Sequence, residues 1–277
     1  MIRTLAILAS LAVLAVAGGA LFVYSGIYNV AATEQHTAPV YWILEKAARR
    51  SVLRRAQEIE VPPLTEPVTL ERGLRLYHTN CVSCHGAPGI APDGFALGML
   101  PVPANLAWTA REWQPAEVYW VVKHGIKTSG MPAWEFRLAD TDLWAIVAFV
   151  ATLPTLSPRE YRDRTSATAP RAATEVAPSL SGADKGSAER GKVALQQYAC
   201  VTCHVIPGVV GANMTVGPSL AGIASRKYLA GVLPNTTDNM IRWLRVPQEI
   251  APRTAMPDLG VAEGDARDMA VFLDTLK

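Results

Sequence analysis

The sequence predicts an all-α fold: an N-terminal transmembrane helix followed by two small helical domains of one design. Three observations predict it. Residues 5–24 form an uncharged apolar run, a short cysteine-containing arrangement occurs twice with the same flanks, and each copy closes on a segment with helical apolar spacing. At about 100–150 residues per domain, 277 residues accommodate two such domains with some chain left over. Half the residues are hydrophobic and 18% are charged, which excludes disorder of the whole chain. Lys and Arg total 26 against 24 Asp and Glu, with no long basic stripe, so nucleic acid is excluded as a partner. Four cysteines are too few for a disulfide scaffold, and they come as two pairs.

Residues 1–33 read as an anchor. LAILASLAVLAVAGGALFVY, from Leu5 to Tyr24, rises about 30 Å as a helix and matches the hydrocarbon thickness of a bilayer. A cleaved secretory signal is the competing reading, with Arg3 at its start, an apolar core from Leu5 to Leu14 and the small-residue pattern Ala15-Val16-Ala17. Retention is favoured because apolar character continues through Leu21, Phe22, Val23 and Tyr24. Both readings send the remainder across a membrane.

Residues 34–64 read as a basic amphipathic helix and a linker. Thr37 caps the helix, a proline stands in its first turn, and Val40, Ile43, Leu44, Ala47 and Leu53 recur at roughly helical spacing up to Arg55. Two readings stand: a solvated linker helix, or one lying on anionic headgroups or a membrane partner with Tyr41 and Trp42 near the interface. Pro62-Pro63 ends it.

Domain one spans residues 65–156 and domain two residues 187–277; residues 157–186, rich in Ala, Pro, Ser and Thr, read as a linker. In the first, Glu71-Arg72-Gly73 precedes Cys81-Val82-Ser83-Cys84-His85; in the second, Glu189-Arg190-Gly191 precedes Cys200-Val201-Thr202-Cys203-His204. Glycine leads the first cysteine by 8 residues (81−73) in one copy and 9 (200−191) in the other. Met131-Pro132 and Met256-Pro257 follow the histidines by 46 (131−85) and 52 (256−204) residues. DTDLWAIVAFVATL from Asp140 and EGDARDMAVFLDTL from Glu263 close the copies as helices.

Cys-x-x-Cys-His is the attachment pattern of a c-type haem. In a helical turn the sulfurs at i and i+3 share one side, where they can add to two vinyl groups of one porphyrin, and the histidine at i+4 falls under the iron. The covalent sites are therefore Cys81 with Cys84 and Cys200 with Cys203, and the proximal ligands His85 and His204. A shared zinc site is disfavoured because the pairs stand 116 residues apart (200−84), and a thioredoxin-like redox pair because no strand pattern leads into either motif. Met131 and Met256 are the candidate sixth ligands: each precedes a proline, outside helical pattern, at matching places in the repeat. Met99 is the rival in domain one; Met214 is too close to His204, and Met240 and Met269 belong to helix cores. His36, His78 and His124 are read as ordinary solvated or hydrogen-bonded histidines, with His124 the one alternative iron ligand. Pro218 is placed to accept the other ring N–H of His204, and Pro103 that of His85. Arg226, Tyr228 and Trp243 are either propionate contacts or ordinary surface and packing residues.

With these residues in view, the chain from Glu71 to Lys277 resembles two fused class I cytochrome c domains. GKVALQQYACVTCH, GPSLAGIASRKY and TAMPDLG carry the closer likeness, in domain two. HTNCVSCHG, HGIKTSGMPAW and DLWAIVAFV in domain one resemble the shorter cytochrome domains in di-haem subunits of bacterial terminal oxidases, although PVPANL departs from the usual GPxL. The resemblance implies close crossing of the first and last helices of each domain at Gly73 and Gly191. It implies two covalently bound haem c groups and a membrane-tethered periplasmic protein, single-pass in a bacterial inner membrane, that relays electrons and is not by itself an enzyme. A haem-copper terminal oxidase would accept the electrons, and a quinol-oxidising complex or a small cytochrome would donate them. The alternative is the electron-accepting subunit of a membrane-bound dehydrogenase. A di-haem peroxidase would need an open iron position with acid-base groups beside it.

Overall fold

The computed structural model describes residues 1–166 and 185–277, which form two units, Met1–Glu34 and Gln35–Lys277. In the first, α1 (Ile2–Ser25) is apolar on every side, carries no buried residue and stops at Gly26 in the left-handed conformation that ends helices. Its 24 residues are long and apolar enough to cross a membrane, by length and composition.

The second unit is built of short helices. α2 (Ala38–Ala56) precedes α3 (Pro67–Asn80), α4 (Val82–His85), α5 (Leu106–Glu112), α6 (Pro115–His124) and α7 (Asp140–Thr152). α8 (Pro158–Thr165) follows, and beyond residue 184 come α9 (Ala188–Gln197), α10 (Thr237–Arg245), α11 (Pro247–Ile250) and α12 (Glu263–Asp274). A two-residue hairpin, β1 (Tyr228–Leu229) paired antiparallel with β2 (Leu233–Pro234), was not foreseen in an all-α reading. α3, α6 and α8 begin on proline, whose fixed φ suits the first turn, and α2 carries one at its second position.

Two apolar cores organise this unit. Leu74, Tyr77, Leu143, Ile146 and Phe149 centre the first, where α3 crosses α7; Leu195, Ile206, Ala266, Met269 and Leu273 centre the second, where α9 crosses α12. The crossings are close for one reason. A Cβ on Gly73 would sit 2.7 Å from the carbonyl carbon of Ala145, and one on Gly191 2.5 Å from that of Asp268. Only glycine leaves the backbones room to meet. An arginine beside each glycine fastens the crossing: Arg72 bonds Asp142, and Arg190 holds the buried Asp268 with Nε at 2.8 Å and Nη2 at 3.0 Å.

The structure corrects two expectations. The stretch 157–186 does not begin as linker: Ser157 and Glu160 form a capping box for α8, and Tyr161 is fully buried against Phe149 in the first core. Residues 167–184 of that linker lie outside the described residues. Thr37 precedes α2, but its side chain makes no capping bond. α2 packs on α6. Ile43 and Leu44 are exposed, whereas Val52 and Ala56 are buried and Arg49 reaches Glu117 of α6 at 2.7 Å.

Candidate haem attachment sites

Both cysteine motifs form the tight turn that their spacing predicts. The His85 N–H donates to the Cys81 carbonyl at 2.9 Å and the His204 N–H to the Cys200 carbonyl at 3.1 Å, so each histidine stands one turn after its first cysteine. The approaches differ. α3 runs straight into Cys81, whereas α9 stops at Gln197 and the extra residue of the second copy is taken up at Ala199, which is left-handed with φ 56°. Beyond the motifs, Ala87 bridges Ile90 and Val205 bridges Asn213, reversing the chain in both copies.

The imidazoles are aimed identically. His85 Nδ1 lies 2.7 Å from the Ala104 carbonyl, and His204 Nδ1 lies 2.7 Å from the Pro218 carbonyl. A carbonyl only accepts, so Nδ1 carries the proton and Nε2 is left as the ligating lone pair. Pro218 plays the part foreseen for it. Pro103 does not: its neighbour Ala104 turns its carbonyl to His85, because Asn105 begins α5 as its cap and sets the direction of the preceding peptide. Behind His204 the backbone of Gly217 lies against the ring, where a Cβ would approach Nδ1 to 2.8 Å. Burial holds both histidines below the usual imidazole range, which keeps them neutral and able to ligate.

None of the four cysteines is in a disulfide. Burial pushes the thiols of Cys81 and Cys200 up to about 12 and raises those of Cys84 and Cys203. Among the described residues no group of three or more His, Cys, Asp or Glu side chains is placed to hold a metal ion. The donor set therefore fits haem c: two neutral sulfurs, one oriented imidazole and a thioether candidate per copy.

Met131 and Met256 sit half-buried on the first and second core, in matching turns. The Met131 N–H donates to Ser129 Oγ and the Met256 N–H to Thr254 Oγ1, both at 3.2 Å. A hydroxyl two residues before each methionine is a likeness between the copies that the Met-Pro pattern alone did not reveal. Met99 packs its thioether against Gly130, next to Met131, whereas Met240 and Met269 are buried core residues. His78 bonds Tyr161 at 2.8 Å, and His124 faces Glu135 at 3.3 Å over Trp120, both ordinary uses of histidine.

Of the propionate candidates, Arg226 bonds the carbonyls of Ser219 and Ala221, and its charge reaches His204. Tyr228 stands exposed in β1, and Trp243 packs on the second core. The residue that sequence reasoning missed is Asn105: its Nδ2 lies 3.2 Å from Cys203 Sγ.

Comparison with known proteins agrees with this chemistry. Residues 68–150 match the family model described as cytochrome C oxidase, cbb3-type, subunit III. A stretch of 91 residues, 32% of this chain, is 29% identical to cytochrome c oxidase subunit 2 of Alkalihalophilus pseudofirmus. It covers 26% of that protein, so the chain spans about a quarter of the curated relative. No solved structure matches the chain. The matched stretch, residues 68–150, contains Cys81, Cys84, His85 and Met131, so the first copy is similar to a cytochrome c domain, the kind of electron-transfer module that holds haem c covalently.

Proposed function

We propose that the chain is a membrane-tethered relay with two haems, passing single electrons to a respiratory partner. The observation that carries the reading is the pair of identical imidazole anchors, Nδ1 to carbonyl at 2.7 Å in both copies, each beside its own Cys-x-x-Cys turn. Cys81 and Cys84 would hold one haem and Cys200 and Cys203 the other, with His85 and Met131, and His204 and Met256, as axial ligands. When bound, haem supplies a one-electron iron couple. Arg226, Tyr228 and Trp243 would be the contacts for its propionates.

The chain's own residues orient and enclose. The carbonyls of Ala104 and Pro218 set each ring's tautomer and rotation, and the apolar cores take in Cys81 and Cys200. An imidazole from His85 or His204 and a thioether from Met131 or Met256 would hold each iron, a donor set suited to electron transfer more than to peroxidase chemistry. α1 would hold the haems beside membrane partners and raise their effective concentration, with both domains on the periplasmic side of a bacterial inner membrane.

The matches to oxidase subunits favour a haem-copper terminal oxidase as acceptor, fed by a quinol-oxidising complex or a small cytochrome. The test is purification of the full chain in mild detergent, with haem counted by the mass it adds to the denatured polypeptide. Two haems, a Soret band that carbon monoxide leaves unchanged, and a co-purifying oxidase are expected. One haem per chain overturns the relay; a co-purifying dehydrogenase moves the chain to an electron-accepting subunit.

A further inference from the structure

Asn105 does two things with one side chain. Its Oδ1 accepts the N–H groups of Ala107 at 3.0 Å and Trp108 at 3.4 Å, capping α5, while its Nδ2 donates to Cys203 Sγ at 3.2 Å, 98 positions away in the chain. The residue before it, Ala104, accepts His85 Nδ1 at 2.7 Å. Two consecutive residues therefore join the iron-facing imidazole of one site to the attachment sulfur of the other, through two hydrogen bonds and the covalent chain between them.

We propose that Asn105 is the bridge between the two haem sites: it fixes the second attachment sulfur against the first proximal ligand, completes a bonded route between them, and tunes the second haem by donating to its thioether. This rests on the two-haem reading. The exchange it serves moves one electron from a ferrous to a ferric iron, with no proton transferred and no bond made or broken. A continuous route through bonds and hydrogen bonds couples the sites better than a gap would. A donor to sulfur withdraws electron density, which favours the ferrous state of the haem that sulfur holds.

The two roles of the side chain can be separated. Serine at an N-cap still offers an oxygen to the first turn of α5 but is too short to reach Cys203, and aspartate keeps the capping oxygen without the N–H donor. The seam between the two sites has other supports that neither change touches. Gln248 Nε2 donates to the Gly89 carbonyl at 3.0 Å, and Val102 packs on the second core.

The experiment uses the full chain in detergent with its haems loaded. Asn105→Ser and Asn105→Asp are compared with wild type by haem count, thermal unfolding, spectroelectrochemical midpoints and the rate of internal electron exchange after flash reduction. Both variants are expected to retain two haems and the wild-type unfolding midpoint. The potential of the second haem shifts downward in both, further in Asn105→Asp, and internal exchange slows. Wild-type midpoints and exchange in Asn105→Ser, with two haems present, overturn the bridge and leave the relay standing. One haem in the wild-type chain overturns the relay itself.

Discussion

Arg49 places its guanidinium 2.7 Å from the carboxylate of Glu117, and that pair fastens α2 to α6 beside the first core. Glu117 keeps only 6% of its side chain exposed, and the same Oε2 accepts the Gln114 N–H at 2.9 Å in the capping box of α6. Arg49 also lies 4.2 Å over the ring of Trp113. Arg49→Met strands the buried carboxylate and should cost about 3 kcal/mol, the lower end for an orphaned buried charge, because the arginine is itself a quarter exposed. Hydrogen exchange of residues 38–56 should rise, and Glu117→Gln in the same chain should restore much of the protection.

Gly73→Ala and Gly191→Ala each drive a methyl group into the facing helix backbone at the Ala145 or Asp268 carbonyl. Each should cost about 3 kcal/mol in its own core, the upper end for overpacking. Haem incorporation should fall in the copy that carries the change and persist in the other, as read by the mass of the purified chain.

Ala199 pays for the one extra residue of the second copy by adopting φ 56° while buried. Ala199→Gly relieves the left-handed strain and should stabilise the second core by about 1 kcal/mol. Chemical denaturation followed at the second haem checks it; a destabilised variant would mean that the methyl group's packing outweighs the strain.

On the proposed ligation, with one soft thioether from each copy, Met131→Ala and Met256→Ala should each remove about half of the near-infrared methionine-to-iron band of the oxidised protein. An unchanged band after Met131→Ala would pass that role to Met99, whose thioether lies against Gly130.

Burial, and then the bond to Asp265 at 2.8 Å, push the Tyr198 hydroxyl up to about 12. The fold holds the neutral phenol, so its contribution is complete below about pH 10, where the unfolded chain is also protonated. It is lost as pH rises from there through about 12. Tyr198→Phe should flatten this part of the alkaline stability profile, measured as the difference between the two proteins in denaturation at pH 9 and above.

Several features were legible in the residues because their chemistry is local. Five consecutive residues place two sulfurs and an imidazole on one turn, so both Cys-x-x-Cys-His geometries follow from spacing alone. The closing helices at Asp140 and Glu263 announced themselves by apolar period and begin where expected. Pro218 was foreseen as the partner of His204 because a Gly-Pro turn stands at the right distance; in PVPANL the same reasoning missed by one residue, since the helix cap at Asn105 aims the peptide. α8 was hidden by composition: its eight residues hold a single core side chain, Tyr161, too few to show a period.

The sequence by itself determined the anchor-grade helix, the repeated attachment motif and the class of helical core, since each depends on residues a few positions apart and on hydrophobic content. Tertiary structure alone decided which face of α2 packs, which carbonyl orients His85, and that Asn105 stands between Ala104 and Cys203. Those outcomes join residues 68, 19 and 98 positions apart. A hydrogen bond or ion pair of that reach depends on where two backbones are brought together, and no local pattern of residue types encodes that meeting.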